Sequence, residues 1–221
     1  MSSPRLDLVA GCNGAGKSTL IRTLLRPALP GSTYVNADDI AHSKWPGDEE
    51  KKSYEAARLA DHARTTLLEH GHPFITETVF SHPSKLELID EAIGLGFRVV
   101  LHIVMVPEEV AVRRVHSRVL SGGHSVPEDK IRARYQRPLL AAAVCRSTEA
   151  FVYDNGDEQT VLVAEFERGF ATAAAWPAWT PAAISALSPG SPIATATSIA
   201  SSCRFGVRSA NSARMSFALL K

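Results

Sequence analysis

The sequence predicts an α/β fold, a doubly wound and mostly parallel sheet with helices on both faces. Three observations predict it. The first is Gly11-Cys12-Asn13-Gly14-Ala15-Gly16-Lys17-Ser18, a phosphate-loop pattern set between the apolar run 6–10 and a helical run from Thr19. The second is the regular alternation of short apolar runs with longer stretches of helical period. The third is FRVVLHIVMV at 97–106, a near-continuous apolar run of the kind that forms a central strand covered on both sides.

The loop carries the most chemistry. Its glycines allow a tight turn that brings backbone N–H groups onto phosphate oxygens. The helix that follows adds the positive end of its dipole. Lys17 is expected to reach the β- and γ-phosphates, and the Ser18 hydroxyl to ligate Mg²⁺. Residues 11–18 and Thr19 are therefore the expected ATP site. A dinucleotide fingerprint would require glycine where Asn13 stands, which disfavours a Rossmann reading.

After the first helix, Pro27 and Pro30-Gly31 are expected to end it and turn the chain. Tyr34-Val35-Asn36-Ala37 reads as a short strand running into Asp38-Asp39. Strand carboxyl ends converge on the ligand crevice in a parallel sheet, so this would bring a carboxylate near the loop. Asp38 or Asp39 would serve equally well as the cap of a helix beginning at Ile40. Residues 48–70 read as an amphipathic helix with Ala56, Ala60, Ala63 and Leu67 on one face. Phe74-Ile75-Thr76-Glu77-Thr78 is the next strand, ending in a carboxylate beside a hydroxyl. A helix opening at His82-Pro83 buries Leu86, Ile89 and Ile93 and stops at Gly94 and Gly96. The apolar strand 97–106 ends at Pro107 without an acidic residue, so the acidic strand ends are Asp38 and Glu77. His102 inside that strand reads as a packed histidine.

Residues 107–120 form the next expected helix, with Arg113, Arg114 and Arg118. Gly122-Gly123 makes a hinge, and helix resumes at Glu128 with Lys130, Arg132, Arg134 and Arg137 until Pro138. Arginine is favoured over lysine throughout this stretch. Its planar fork suits bidentate phosphate contacts, so the two halves read as a phosphate-clamping lid. Residues 150–157 read as a strand entering a turn, and 160–166 as a last strand.

Composition bounds the rest. The chain has 221 residues, a formal net charge of +1 and three cysteines, Cys12, Cys145 and Cys203. A near-neutral chain disfavours nucleic acid or an acidic membrane as partner. No apolar run reaches ~18 residues, so no membrane span is expected. Cys12 lies inside the phosphate loop, which points to a reducing cytoplasm rather than a disulfide framework. All 23 acidic residues and all 8 histidines lie before residue 171. The expected organisation is a catalytic domain over 1–170 and an Ala/Ser/Pro-rich, disordered or loosely attached tail over 171–221.

Several blocks together resemble the zeta-toxin family of P-loop kinases: residues 11–18, Asn36-Ala37-Asp38, 77–82, 114–119, Gly122-Gly123-His124-Ser125-Val126-Pro127 and Arg134-Tyr135. The similarity covers roughly residues 5–168 in order. It implies a three-layer P-loop kinase fold with an arginine-bearing helical lid. It also implies phosphorylation of UDP-N-acetylglucosamine on a sugar hydroxyl with ATP and Mg²⁺, and pairing with a small, separately encoded antitoxin. On this resemblance Asp38 takes the hydroxyl proton, and Glu77 and Thr78 hold the sugar. Lys17, Arg118 and Arg134 act at the transferred phosphate, and Arg114 and Arg132 grip substrate phosphates. The second lid arginine is either Arg132 or Arg134. Val79 stands where the family often has a second hydroxyl, and the tail has no counterpart.

Two other functions fit a phosphate loop. A nucleic-acid end kinase would want a basic groove and aromatic stacking platforms, but aromatic residues are only 7% of this chain. A nucleotide-dependent switch would show the base-reading Asn-Lys-x-Asp of GTPases, which is absent.

Overall fold

A computed structural model describes residues 3–80, 82–120, 127–133, 139–157 and 159–187. Seven strands form one sheet in the order β2-β3-β1-β4-β5-β6-β7. β1 (Arg5–Ala10) pairs in parallel with β3 (Phe74–Thr78) on one side and β4 (Arg98–Met105) on the other. β2 (Thr33–Val35) is the parallel edge beside β3, and β5 (Glu149–Asp154) runs parallel to β4. The switch from β3 to β4 around β1 opens a crevice at the strand carboxyl ends, where such sheets hold ligands.

Helices cover both faces, as the doubly wound pattern requires. On one face, α4 (Ser53–Glu69), α5 (Ser84–Gly94) and α8 (Leu139–Arg146) pack Ala60, Leu68, Ile89 and Ala143 against Leu6, Leu8, Leu101 and Val152. On the other, the run after the phosphate loop, α6 (Glu108–Leu120) and α7 (Glu128–Ala133) pack Leu20, Ile21, Val112, Val115 and Ile131 against Val9, Val104 and Tyr153. β4 is buried along all but its first residue, as its unbroken apolar run predicts.

Four local expectations are corrected. The first helix does not end before Pro27: α1 (Lys17–Leu20), a π turn (Ile21–Leu25) and α2 (Arg26–Ala28) run on continuously. Widening one turn accommodates a proline that has no N–H to donate and would crowd a tighter turn. Asp38 and Asp39 do not sit on a strand end and neither caps a helix. Asn36 is the cap of α3 (Ala37–Lys44), its side-chain oxygen accepting from the Asp38 N–H at 2.7 Å, so both aspartates lie in the first helical turn. Ile93 is 41% exposed, and Ala92 takes the buried position on α5.

The fourth correction concerns the boundary at 170. β6 (Val161–Glu167) turns through Arg168 and Gly169, with φ of 48° and 81°, into an antiparallel strand β7 (Phe170–Ala174). Two successive left-handed residues are what a tight hairpin between twisted strands demands, and Gly169 supplies one of them. Past β7 the chain returns to the core. Ile184 on the short helix α9 (Ala182–Ser185) and Leu187 are almost fully buried, and Trp176 and Trp179 pack against the same cluster. Residues 171–187 are therefore part of the folded unit. Residues 188–221, the lid hinge 121–126, and Arg134 with Arg137 lie outside the described residues.

One charged group is fully buried in the sheet. Asp7 accepts from Nε and Nη2 of Arg5, at 2.8 and 2.6 Å, and pairs with His102 Nε2 at 2.9 Å. His102 Nδ1 lies 3.2 Å from the Tyr153 hydroxyl, and its ring stacks on Phe151. Burial alone would raise the Asp7 carboxyl, but the hydrogen bonds of His102 and Arg5 outweigh it and hold its pKa below the ordinary value.

Two expectations follow from this packing. A chain ending at Gly169 should be less stable than one ending at Leu187, because burying Ile184 and Leu187 is worth about 1.5–3 kcal/mol each. Equal denaturant midpoints for the two would show that the segment contributes nothing. The Asp7 pKa is depressed on folding, so its stabilisation is complete above the unfolded value of 3.8 and is lost as pH falls through the lower folded value. Asp7→Ala should cost about 3–5 kcal/mol at neutral pH, since it leaves its partners unpaired. It should also flatten the acid limb of the stability profile below about pH 4.

Candidate functional site

The loop 11–16 leaves β1 at the centre of the crevice and enters α1. Gly14 and Gly16 have φ of 80° and 95°, a left-handed backbone that favours glycine. The Ala15 N–H donates to the Cys12 carbonyl at 3.2 Å and closes the turn. Gly16 is the N-cap of α1 and provides no side-chain cap, so the first-turn N–H groups are left for a ligand. Thr19 lies exposed in that turn.

Lys17 arches back over the loop and donates from Nζ to the Cys12 carbonyl at 3.1 Å. Burial lowers its pKa from the ordinary lysine value, against the pull of Glu77 and Asp38, while Arg118 adds a like charge. Glu77, Asp38 and Arg118 thus all act on Lys17. A phosphate in the loop would return to Lys17 the stabilisation that burial removes.

Glu77, at the end of β3, faces the loop. Ser18 Oγ donates to its carboxylate at 3.1–3.2 Å, and Asn36 Nδ2 donates to Oε1 at 2.8 Å. Burial raises the Glu77 pKa, although Lys17 opposes this. The structure thus places Glu77 on the residue expected to meet the metal, rather than apart from it on the sugar side. Thr78 beside it is half-buried, and its hydroxyl accepts from the Phe80 N–H at 3.0 Å. Phe80 is fully buried with φ of 52°, a left-handed conformation unusual for an aromatic residue, so Thr78 props a strained turn.

Asp38 is exposed on α3, and its side chain makes no hydrogen bond to another described residue. Its charge reaches both Lys17 and Glu77. Ser18 and Glu77 offer only oxygen atoms, the donor set of a hard cation such as Mg²⁺. Among the described residues no group of three or more His, Cys, Asp or Glu side chains forms a metal cage, so such an ion would share its shell with phosphate and water.

The arginines divide. Arg118 is exposed on α6, close enough to Lys17 for its charge to lower the lysine pKa. Arg114 donates to the Asn155 backbone carbonyl at 2.9 Å and lines an open recess with Gly156, Asp157, Gln159 and Val161. It lies beside the loop after β5, away from the carboxylates. Arg132 is paired with carboxylates. It is bonded to Glu109, Glu128 and Glu108 at 2.6–3.2 Å and joins α7 to the start of α6. Carboxylates on both helices compete for its fork with any substrate phosphate.

Two residues of the site carried no motif. Asn36 both caps α3 and holds Glu77. Asn155 donates from Nδ2 to the Ala15 carbonyl at 2.8 Å. Asn36 was legible only as part of a block, and Asn155 only as a turn after a strand.

The chain matches the Zeta toxin family over residues 1–165. An uncharacterized protein of Haemophilus influenzae is 30% identical over 126 residues, 57% of this chain and 88% of that protein. Among solved structures, the AvrRxo1-ORF1:AvrRxo1-ORF2 complex with sulphate ions aligns with a TM-score of 0.61 at 16% identity. The alignment covers 77% of this chain and 61% of that chain, so this chain spans about three fifths of that relative. The same pair has been solved with ATP, aligning at a TM-score of 0.60. The PezAT chromosomal toxin–antitoxin system of Streptococcus pneumoniae aligns at 0.53, with 15% identity over 73% of this chain and 72% of that one. At these identities the structural likeness concerns the fold; the match over residues 1–165 is what shows that the chain belongs to the zeta toxin family.

Proposed function

We propose that this chain is an ATP-dependent phosphotransferase that moves the γ-phosphate of ATP to a hydroxyl of a nucleotide sugar of the UDP-N-acetylglucosamine type. One observation carries the reading. A phosphate loop with Lys17 and Ser18 stands against two carboxylates of unlike surroundings, Glu77 half-buried on Ser18 and Asp38 exposed on α3.

The parts take separate roles. Backbone N–H groups of residues 16–18, at the start of α1, bind the β- and γ-phosphates, and Lys17 neutralises them. The Ser18 hydroxyl and Glu77 would hold Mg²⁺, which supplies charge neutralisation and orientation of the phosphates. Asp38 accepts the proton of the acceptor hydroxyl as its oxygen forms the bond to the γ-phosphorus and ADP leaves. Arg118 adds positive charge on the lid side, and Arg134 is assigned the matching role from the other half of the lid. Arg114 and the recess at 156–161 suit the nucleoside end of ATP, because they flank the loop on the side opposite the carboxylates. The acceptor then lies on the β2–β3 side, beside Asp38, Glu77 and Thr78.

A relative of this fold belongs to a toxin–antitoxin system and another was solved as a two-component complex. Both support a small, separately encoded antitoxin as partner. Among the described residues no helix is long and apolar enough to cross a membrane, and neither Cys12 nor Cys145 forms a disulfide there. Both facts support action in the cytoplasm.

Lys17→Ala should abolish tight MgATP binding while leaving the melting temperature nearly unchanged, since its Nζ is bonded to one loop carbonyl. A folded Lys17→Ala protein with normal nucleotide affinity would remove the phosphate-loop reading.

Asp38→Asn tests the base. Loss of a general base typically slows transfer by about 10²–10⁴-fold. Asn36, not Asp38, is the cap of α3, so the variant should keep its stability and its ATP affinity. Asp39→Asn is the control, because neighbours in a helical turn point about 100° apart. The measurement is transfer of labelled γ-phosphate from ATP to UDP-N-acetylglucosamine, with other nucleotide sugars and 5′-hydroxyl oligonucleotides in parallel. A dead Asp39→Asn beside an active Asp38→Asn would move the role to the other carboxylate. Transfer to oligonucleotides alone would favour an end kinase.

A further inference from the structure

We propose that Asn155 is a positioning residue for phosphate binding, which sets the orientation of the Ala15–Gly16 peptide and so aims the Gly16 N–H at the bound phosphate. The inference rests on the reading of residues 11–18 as a phosphate loop.

Asn155 stands just past β5, 140 residues from the loop it touches, and every one of its polar atoms is engaged. Its N–H donates to the Met105 carbonyl at 2.8 Å, at the end of β4. Its carbonyl accepts from Arg114 Nη1 at 2.9 Å. Its side-chain Oδ1 accepts from the Thr160 hydroxyl at 2.7 Å. Its Nδ2 donates to the Ala15 carbonyl at 2.8 Å. The amide orientation is fixed by chemistry, because a carbonyl only accepts and must therefore face the NH₂ end. The side chain is held from both ends by elements that frame the crevice.

The peptide joining Ala15 to Gly16 is planar and trans, so its carbonyl and its N–H point in opposite directions. Holding the Ala15 carbonyl against Asn155 turns the Gly16 N–H away from Asn155. That N–H makes no hydrogen bond to another described residue. A Cβ on residue 16 would lie 2.3 Å from Asn155 Nδ2, so the approach is closed to any residue but glycine. Gly16 is thus needed for the contact as well as for its φ of 95°. Without the tie, this peptide could rotate by half a turn and present its carbonyl to an anion, which repels it.

The test compares ligands with and without phosphate. Affinities for tripolyphosphate, MgADP and adenosine are measured by calorimetry for the wild type, Asn155→Ala, Asn155→Asp and Thr160→Val. Asn155→Ala should weaken tripolyphosphate and MgADP by about 3–10-fold, the worth of one hydrogen bond, and leave adenosine unchanged. Asn155→Asp should weaken them further, because a carboxylate repels the Ala15 carbonyl and attracts the Gly16 N–H to itself. Thr160→Val frees the amide and should give a smaller loss in the same order. Thr160 is exposed, so this variant carries the test if the Asn155 variants melt early. An equal loss for adenosine would overturn the inference in favour of a role in the recess at 156–161. Wild-type affinity for tripolyphosphate in every variant would also overturn it. A wild type that binds none of the phosphate ligands would overturn the phosphate-loop reading, and this inference with it.

Discussion

An unfilled phosphate cradle is costly to fold. Its donors must face one point, and those at the start of the helix stay without a side-chain cap. The helix after Gly16 begins with no side-chain cap, and Lys17 is held where burial lowers its pKa. Such an arrangement persists only when surrounding structure over-determines it. Here the support comes from three directions. β1 is clamped between two parallel neighbours, Glu77 takes the Ser18 hydroxyl from the β3 side, and Asn155 takes the Ala15 carbonyl from the β5 side. The crevice at the sheet's switch point is the place where all three can reach one loop.

The parts legible in the sequence were those set by local pattern. Residues 11–18 carry their own geometry, and 97–106 is too apolar to lie anywhere but the middle of the sheet. The parts that were not legible depend on partners far along the chain. Asp38 looked like a strand end or a cap because Asn36, a better cap, also has a second role on Glu77, 41 residues away. Arg132 looked like a phosphate ligand because two of its three carboxylate partners, Glu108 and Glu109, sit on the far side of the lid segment. β7 was missed because FATAA has no β-branched alternation; the hairpin at Arg168–Gly169 and the waiting edge of β6 make it a strand.

The returning segment after β7 bears on the site as well as on stability. Pro181 and Ile184 line a small cavity with Gly11, Cys12 and Val79, immediately behind the phosphate loop. Val79 therefore faces apolar surroundings, which accounts for an aliphatic side chain where a relative would place a hydroxyl. The cover is imperfect: Trp176 Nε1 and Thr180 Oγ1 are buried without partners among the described residues. Unmet groups of this kind cost about 1–3 kcal/mol each. They partly offset what Ile184 and Leu187 contribute, so the segment holds by its apolar side chains rather than by its polar ones.

The distribution of arginines around α6 carries the same division between support and chemistry. A guanidinium already paired with carboxylates has fewer N–H groups left for a phosphate. Arg132 is committed to Glu108, Glu109 and Glu128, and those contacts tie α7 to the base of α6. Each such exposed pair is worth little alone, but three on one fork fix the direction in which α7 leaves the domain. Arg114, midway along α6, is bonded to the Asn155 carbonyl and ties the helix to the loop after β5. Arg118 lies one turn further along α6 than Arg114, and its charge is felt at Lys17. The helix is thus held near its base by Arg132 and at mid-length by Arg114, and Arg118 is the arginine whose charge is felt at Lys17.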